Sequence, residues 1–202
     1  MSFNIRHLKG RQALSLESAV KGCVRNGDER CKEFIYKSCY GYVRAITLRY
    51  VKNEYDAEEL TNESFVRAFN KMVMFSSVDS GERFEKAFRS WLARIAVNIS
   101  IDFLRAQKQL VALDDVNEGE LEPQHVDVSG NLHVEDIMKL LAQLPEIQRA
   151  IFNLYEVEGY SHEEVSALLS IPESTSRTYL TRAKKKLRKL YLASINITAG
   201  FE

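Results

Sequence analysis

Apolar residues recur every three or four positions along almost the whole of this chain, and the period is lost for long only over 110–133. Phe84, Phe88, Trp91, Leu92 and Ile95 follow that spacing, as do Leu180, Ala183, Leu187 and Leu190. A chain patterned this way buries one stripe of each helix, because residues three and four apart share a helical face. Strands would require alternation. Only three prolines and nine glycines occur in 202 residues, too few for the turns of an all-β protein. The fold class is therefore all-α.

The pattern predicts helices over 14–26, 29–51, 56–74, 83–97 and 100–108, with breaks at Gly27-Asp28 and at 76–81. Asp56-Ala57-Glu58-Glu59 has the form of a capping box, in which an acid accepts from a free N–H and a glutamate reaches back. The segment 110–133 is acidic, holds Gly119, Pro123 and Gly130, and reads as a flexible linker. About two dozen residues reach roughly 80 Å extended and roughly 27 Å as a relaxed coil. Helices resume near Val134, and one ends before Leu144-Pro145. The next stops at Gly159, a residue suited to the position after a helix. The expected organisation is a tail over 1–13, a helical domain over 14–109, the linker over 110–133, a second helical domain over 134–194 and a tail over 195–202.

Net charge is zero, but charge is segregated. Seven Lys/Arg and no acid lie between Arg177 and Leu192; eight acids and no base lie between Asp114 and Asp136. A basic stripe on one element is an electrostatic footprint for nucleic acid whatever the total. No apolar run approaches the roughly 18 residues of a membrane span, and residues 1–12 lack the apolar core of a secretory signal. A cytoplasmic protein without membrane insertion is expected. Cys23, Cys31 and Cys39 are spaced by eight, unlike the tight pairs of zinc sites, and fit packing on helix faces better. No phosphate loop, nucleophile elbow or metal-ligand set is present, so no catalytic residue, cofactor or metal is expected.

Ser161-His162-Glu163-Glu164 forms a second capping box, opening a short helix with Val165, Leu168 and Leu169 on its apolar face. Ile171-Pro172 breaks it, and a long helix follows over 173–192. Short helix, turn and second helix make a helix-turn-helix. On the second helix Ser174, Thr178, Thr181 and Lys185 oppose the apolar stripe, with Arg182 beside them and Arg177 flanking. Small hydroxyls permit a close approach to a major groove, and cationic groups reach guanine edges or phosphates.

Three blocks in this order resemble the extracytoplasmic-function group of the bacterial sigma-70 family, in a variant similar to that of the Bacteroidota. They are Asp56-Ala57-Glu58-Glu59-Leu60 with Phe65; Phe88 to Asn98 continuing to Asp102 and Arg105; and Leu144-Pro145, Glu158 to Val165 and Ser174 to Leu187. The resemblance spans about 14–192 and implies a transcription initiation factor whose partners are RNA polymerase core and promoter DNA. It implies that Asp56, Glu59, Leu60, Glu63 and Phe65 bind the clamp helices of the largest polymerase subunit, and that the second module meets the flap of the second subunit. Arg83, Arg89, Arg94, Asn98, Ile99, Ser100, Arg105 and Lys108 would hold and melt the −10 element, with Asn98 at a pocket for a flipped base. Ser174, Arg177, Thr178, Thr181, Arg182 and Lys185 would read the −35 element. An anti-sigma factor is a further implied partner. The chain departs from many members at Ser174-Thr175-Ser176, where they carry Gly-Thr-Val, and the family gives no role to residues 1–12. Two other readings fit the residues alone: a stand-alone helix-turn-helix regulator with a helical sensor domain, and a helical adaptor that binds only protein.

Overall fold

The computed structural model describes residues 14–107 and 134–198. Four helices form the first module: α1 (Leu16–Asn26), α2 (Glu29–Thr47), α3 (Glu54–Asn70) and α4 (Gly81–Ala106), with a 3-10 turn at Met72–Met74. The second comprises α5 (Val134–Ala142), α6 (Glu146–Phe152) running on into a π-helical turn at Asn153–Val157, α7 (His162–Leu169) and α8 (Glu173–Thr198). No strand occurs among the described residues. The linker expected over 110–133 lies outside them.

Local chemistry sets the helix ends. Ser15 and Ser18 cap α1 reciprocally, each side chain accepting from the other's backbone N–H at 3.2 and 2.9 Å. Gly27 closes that helix in the left-handed region at φ +62°, which costs a residue without Cβ little, and donates its N–H to the Cys23 carbonyl at 2.9 Å. Helix α3 begins before the expected box at Asp56. The Asn53 side-chain Oδ1 accepts from the Tyr55 N–H at 2.9 Å, so Asp56 falls in the first helical turn, where its charge meets the positive end of the helix dipole.

The break expected between 97 and 100 is absent, and α4 runs unbroken for 26 residues. Its inward stripe does not stop at Ile95: Phe88, Leu92, Ile99 and Leu104 are all at most 2% exposed. Nothing near Asn98 breaks a helix, and continued burial favours continuation over fraying. Phe75 packs its ring against those of Phe84, Phe88 and Trp91, with centroids 5.3–5.6 Å apart. Trp91 is thereby half-buried in the aromatic cluster. Helices α2 and α3 are joined by a buried hydroxyl link, Thr47 Oγ1 to Thr61 Oγ1 at 3.0 Å, with both groups also reaching the Ala57 carbonyl. The three cysteines are buried free thiols, Cys31 and Cys39 both on the inner side of α2.

In the second module α6 and α8 make the main packing; Leu141 of α5 and Leu144 of the following turn cluster with Ala183 of α8, and Leu140 of α5 with Leu190 of α8. Helix α8 extends past the expected end at 192 to Thr198. The two modules also touch. Buried apolar residues of both, among them Val43 and Leu92 from the first and Ile147 and Leu154 from the second, belong to one continuous cluster.

Since Leu92 is fully buried on the longest core stripe, Leu92→Ala should destabilise the first module by about 2–5 kcal/mol, the transfer term plus an unfilled cavity. Urea unfolding followed by circular dichroism checks it, and a loss below about 1 kcal/mol would mean the site collapses freely.

Candidate nucleic-acid interfaces

The helix-turn-helix is built from a capped helix, a left-handed residue and a shared polar link. Ser161 Oγ accepts from the Glu164 N–H at 3.2 Å, and Glu164 Oε2 accepts from the Ser161 N–H at 2.8 Å. This is the capping box read from the sequence. Ser170 then turns the chain at φ +55°, and Ser166 Oγ donates to the Ile171 carbonyl at 2.6 Å, tying the turn to α7. Ser176 is fully buried, with Oγ 2.9 Å from His162 Nδ1, and the imidazole stacks on Tyr155 at 4.3 Å between centroids. Sequence reasoning missed this pair. Ser176 holds α8 against α7 and does not face outward.

The outer face of α8 carries the expected set. Ser174, Arg177, Thr178, Thr181, Arg182 and Lys185 are all exposed. Thr178 and Thr181 donate their hydroxyls to the carbonyls four residues back, at 2.9 and 3.0 Å, which leaves their oxygens free to accept. Arg177 is ion-paired with Glu173, and Lys184 with Glu156 at 2.6 Å. Arg182 lies over the Tyr179 ring at 5.7 Å. Among the described residues Arg182, Lys185, Arg188 and Lys189 form no salt bridge, so their charge is open to an external anion.

On α4 the expected set divides. Arg83, Arg94, Asn98 and Arg105 are exposed and, at about 100° per residue, share a sector of roughly 60°. Arg105 stands 3.8 Å from Asp102, which Arg67 approaches at 3.5 Å. Arg89 lies outside that sector, its guanidinium 5.5 Å from the Tyr42 ring centroid. Ile99 and Ser100 point inward at 2% and 0% exposure, and Ser100 spends its hydroxyl on the Ala96 carbonyl at 2.8 Å. Their helical phase puts them on the core stripe, out of reach of any ligand here. Lys108 lies outside the described residues.

Helix α3 divides in the same way. Leu60 and Phe65 are each 2% exposed, and Phe65 packs on Tyr36 at 4.7 Å between centroids. They fix the helix instead of offering it to a partner. Glu59 and Glu63 are exposed, Asp56 is half-buried, and Glu63 pairs with Arg67 at 2.6 Å. Asn62 and Val66 complete that outer face, with Asn62 Oδ1 accepting from the Tyr36 hydroxyl at 2.9 Å. Val66 is 59% exposed, an apolar surface residue that the stripe analysis passed over because it lies off the core side.

A groove of about 690 Å³ runs between α4 and the turn ahead of α7. Arg89, Arg94 and Lys86 line one wall; Glu158, Tyr160 and Glu164 line the other. Burial raises the Glu158 carboxyl above its ordinary value, and the Arg49 charge opposes that rise. Among the described residues no cluster of three or more His, Cys, Asp or Glu could hold a metal, and no helix is long and apolar enough to cross a membrane.

His162 is held below its ordinary pKa, chiefly by burial and further by the Arg177 charge. The unfolded chain, with a histidine pKa of about 6.5, therefore takes up the proton before the folded one does. This contribution to stability is complete above that value and is lost as pH falls through the lowered folded value. Thermal melts from pH 7.5 down to 5 should show a decline that His162→Gln makes shallower; equal slopes would exclude His162 as the cause.

The sigma-70 region 2 family matches residues 35–109, and the sigma-70 region 4 family matches residues 135–187. The extracytoplasmic-function RNA polymerase sigma-E factor of Salmonella typhimurium is 28% identical over 177 residues, covering 81% of this chain and 88% of that protein. Its counterpart from Escherichia coli is 27% identical over the same coverage. Among solved structures, the sigma factor RpoE from Bartonella quintana, crystallised with the anti-sigma factor NepR, is 21% identical, with a TM-score of 0.46 over 79% of this chain and 95% of that one.

Proposed function

Because the chain belongs to the extracytoplasmic-function group of the sigma-70 family and acts in transcription initiation, we propose that it brings RNA polymerase core to promoters through two separate DNA-facing surfaces, one on α4 and one on α8. The observation that carries this reading is the set of exposed cationic and polar groups on each: Arg83, Arg94 and Asn98 on one helix, Arg182 and Lys185 on the other.

Helix α8 enters the major groove of the −35 element. Thr178 and Thr181 let the backbone approach, Arg182 contacts a base edge or phosphate, and Ser174, Arg177 and Lys185 fix register on the backbone. The Arg177–Glu173 pair must loosen for Arg177 to do so.

Helix α4 meets the −10 element. Flipping a base out of the stack costs a few kcal/mol, which its pocket must return through contacts to the base. Asn98 is suited to that contact because its amide both donates and accepts. Arg83, Arg94 and Arg105 hold phosphates alongside. Arg89, on the groove side of α4, is a phosphate contact only once that groove is uncovered. Ile99 and Ser100 support Asn98 from within.

The outer face of α3, with Asp56, Glu59 and Glu63 and with Leu60 and Phe65 behind it, binds the polymerase clamp helices; the second module meets the flap of the second-largest subunit. The protein works in the cytoplasm, carries out no reaction of its own and is restrained by an anti-sigma factor.

Run-off transcription with purified core polymerase on genomic fragments tests the reading, and new start sites are expected. Absence of any, together with tight operator binding by the chain alone, would favour a stand-alone regulator. Arg182→Ala should lower output from promoters that depend on the −35 element by the ~1–3 kcal/mol of one base contact. Asn98→Ala should flatten the preference among −10 sequences. If both variants transcribe like the parent, these site assignments are wrong.

A further inference from the structure

One charged segment takes no part in either promoter surface. Arg6, His7, Lys9 and Arg11 lie in residues 1–13, and no acid precedes Glu17. Basic N-terminal arms suit nucleic acid, because the phosphate backbone attracts cations whatever the base sequence. The place where this segment joins the body is well defined. The reciprocal Ser15–Ser18 capping box fixes the first turn of α1, so the chain enters the first module at a set point.

That point lies beside the start of α4. Ser80 gives α4 no side-chain cap. The Gly81 N–H, one of the donors that a helix start leaves unpaired, donates instead to Glu17 Oε2 at 2.7 Å, from 64 positions away in sequence. Lys21, one turn further along α1, pairs with Glu17 at 2.5 Å and stands 5.6 Å from the Phe84 ring centroid. Helix α1 also packs on the Met72–Met74 turn. Glu17 is two residues from Ser15, and Arg83 two from Gly81, so the basic segment joins the body within a few residues of the exposed Arg83.

Local acids offer little to hold those cations. Glu17 is taken up by Lys21 and the Gly81 N–H, and Glu82 by Lys86 at 3.0 Å. Among the described residues Asp79, Arg83 and Glu85 form no ion pair. Arg6, Lys9 and Arg11 with Arg83 therefore make four cations against those two acids, an excess of positive charge at this end of the module. Thirteen residues reach about 45 Å extended and about 20 Å as a relaxed coil, enough to follow DNA for up to a helical turn of roughly 34 Å.

We propose that residues 1–13 are a third DNA-binding element, an arm whose Arg6, Lys9 and Arg11 contact backbone phosphates next to the duplex that α4 meets, an assignment that rests on the reading of α4 as a promoter surface. The arm adds affinity and speeds association without carrying sequence information, because phosphates are the same at every base pair. Its place beside Arg83 favours DNA over a lipid surface: the arm and α4 then engage one ligand from one end of the module.

Titration of holoenzyme, formed from the full chain and core polymerase, with promoter DNA at several salt concentrations tests the arm. Each phosphate contact contributes about 0.9 to the slope of log K against log salt. The triple variant Arg6→Gln, Lys9→Gln, Arg11→Gln should therefore flatten the slope by about 2–3 and weaken promoters of different −10 sequence alike. Hydroxyl-radical cleavage from an iron chelate on Ser2→Cys, labelled ahead of the three buried native thiols, should cut DNA around the −10 element. An unchanged slope overturns the arm, as do cuts confined to the −35 element or no cuts at all. Tighter DNA binding by the triple variant would overturn it too, placing the segment on the chain's own acids. So would an unchanged slope with loss of binding to phosphatidylglycerol vesicles, the mark of a lipid surface. Run-off transcription separates the failures: a chain that directs new starts but fails these tests keeps its function without the arm, whereas a holoenzyme that forms no promoter-specific complex loses both.

Discussion

Helix α4 has to satisfy two surroundings along one cylinder, and the first module depends on its doing so. Its inner stripe, from Phe84 through Phe88, Leu92 and Ile99 to Leu104, fills the core. Its outer sector carries Arg83, Arg94, Asn98 and Arg105. An unbroken helix locks the two together: the burial that fixes the stripe also fixes where the polar residues point. The aromatic ring cluster around Phe75 and the hydroxyl link between Thr47 and Thr61 then set the neighbouring helices against that stripe.

The second module solves the same problem with less core. It relies on polar joints: the Ser161–Glu164 box, the Ser166 hydroxyl on the Ile171 carbonyl, and the Ser176–His162 contact inside the turn. These are directional, so they fix the angle between α7 and α8 where a few apolar contacts would leave it loose. The departure from Gly-Thr-Val at 174–176 has a structural consequence here. Ser176 sits where an apolar residue would pack, and its hydroxyl is satisfied by the His162 imidazole, which burial holds below its ordinary pKa.

Much of the architecture was legible in the residues. Helix count nearly matched, the second capping box and the break at Ile171-Pro172 stood where expected, and the exposed α8 set was resolved by face because an uninterrupted amphipathic pattern leaves little choice of phase. The failures have physical causes. The break expected between 97 and 100 does not form, because burial on both sides of Asn98 carries α4 through. Asn53 outcompetes Asp56 as the cap because it precedes the first helical turn. Leu60, Phe65, Ile99 and Ser100 were grouped with surface neighbours by motif, although their helical phase, which motifs ignore, places them inside.

What the sequence determined by itself was local: which segments are helical, which stripe of each is apolar, where the charges concentrate and which family pattern they follow. These depend on a residue and its neighbours within a turn or two. Tertiary structure decided what depends on residues far apart. That the carbonyls after α2 are capped by Arg149 and Asn153, and that Arg49 finds Glu158 109 positions away, follows from packing between modules. No periodicity encodes it, because the acceptors are backbone groups common to every residue, and only the folded chain brings them within reach.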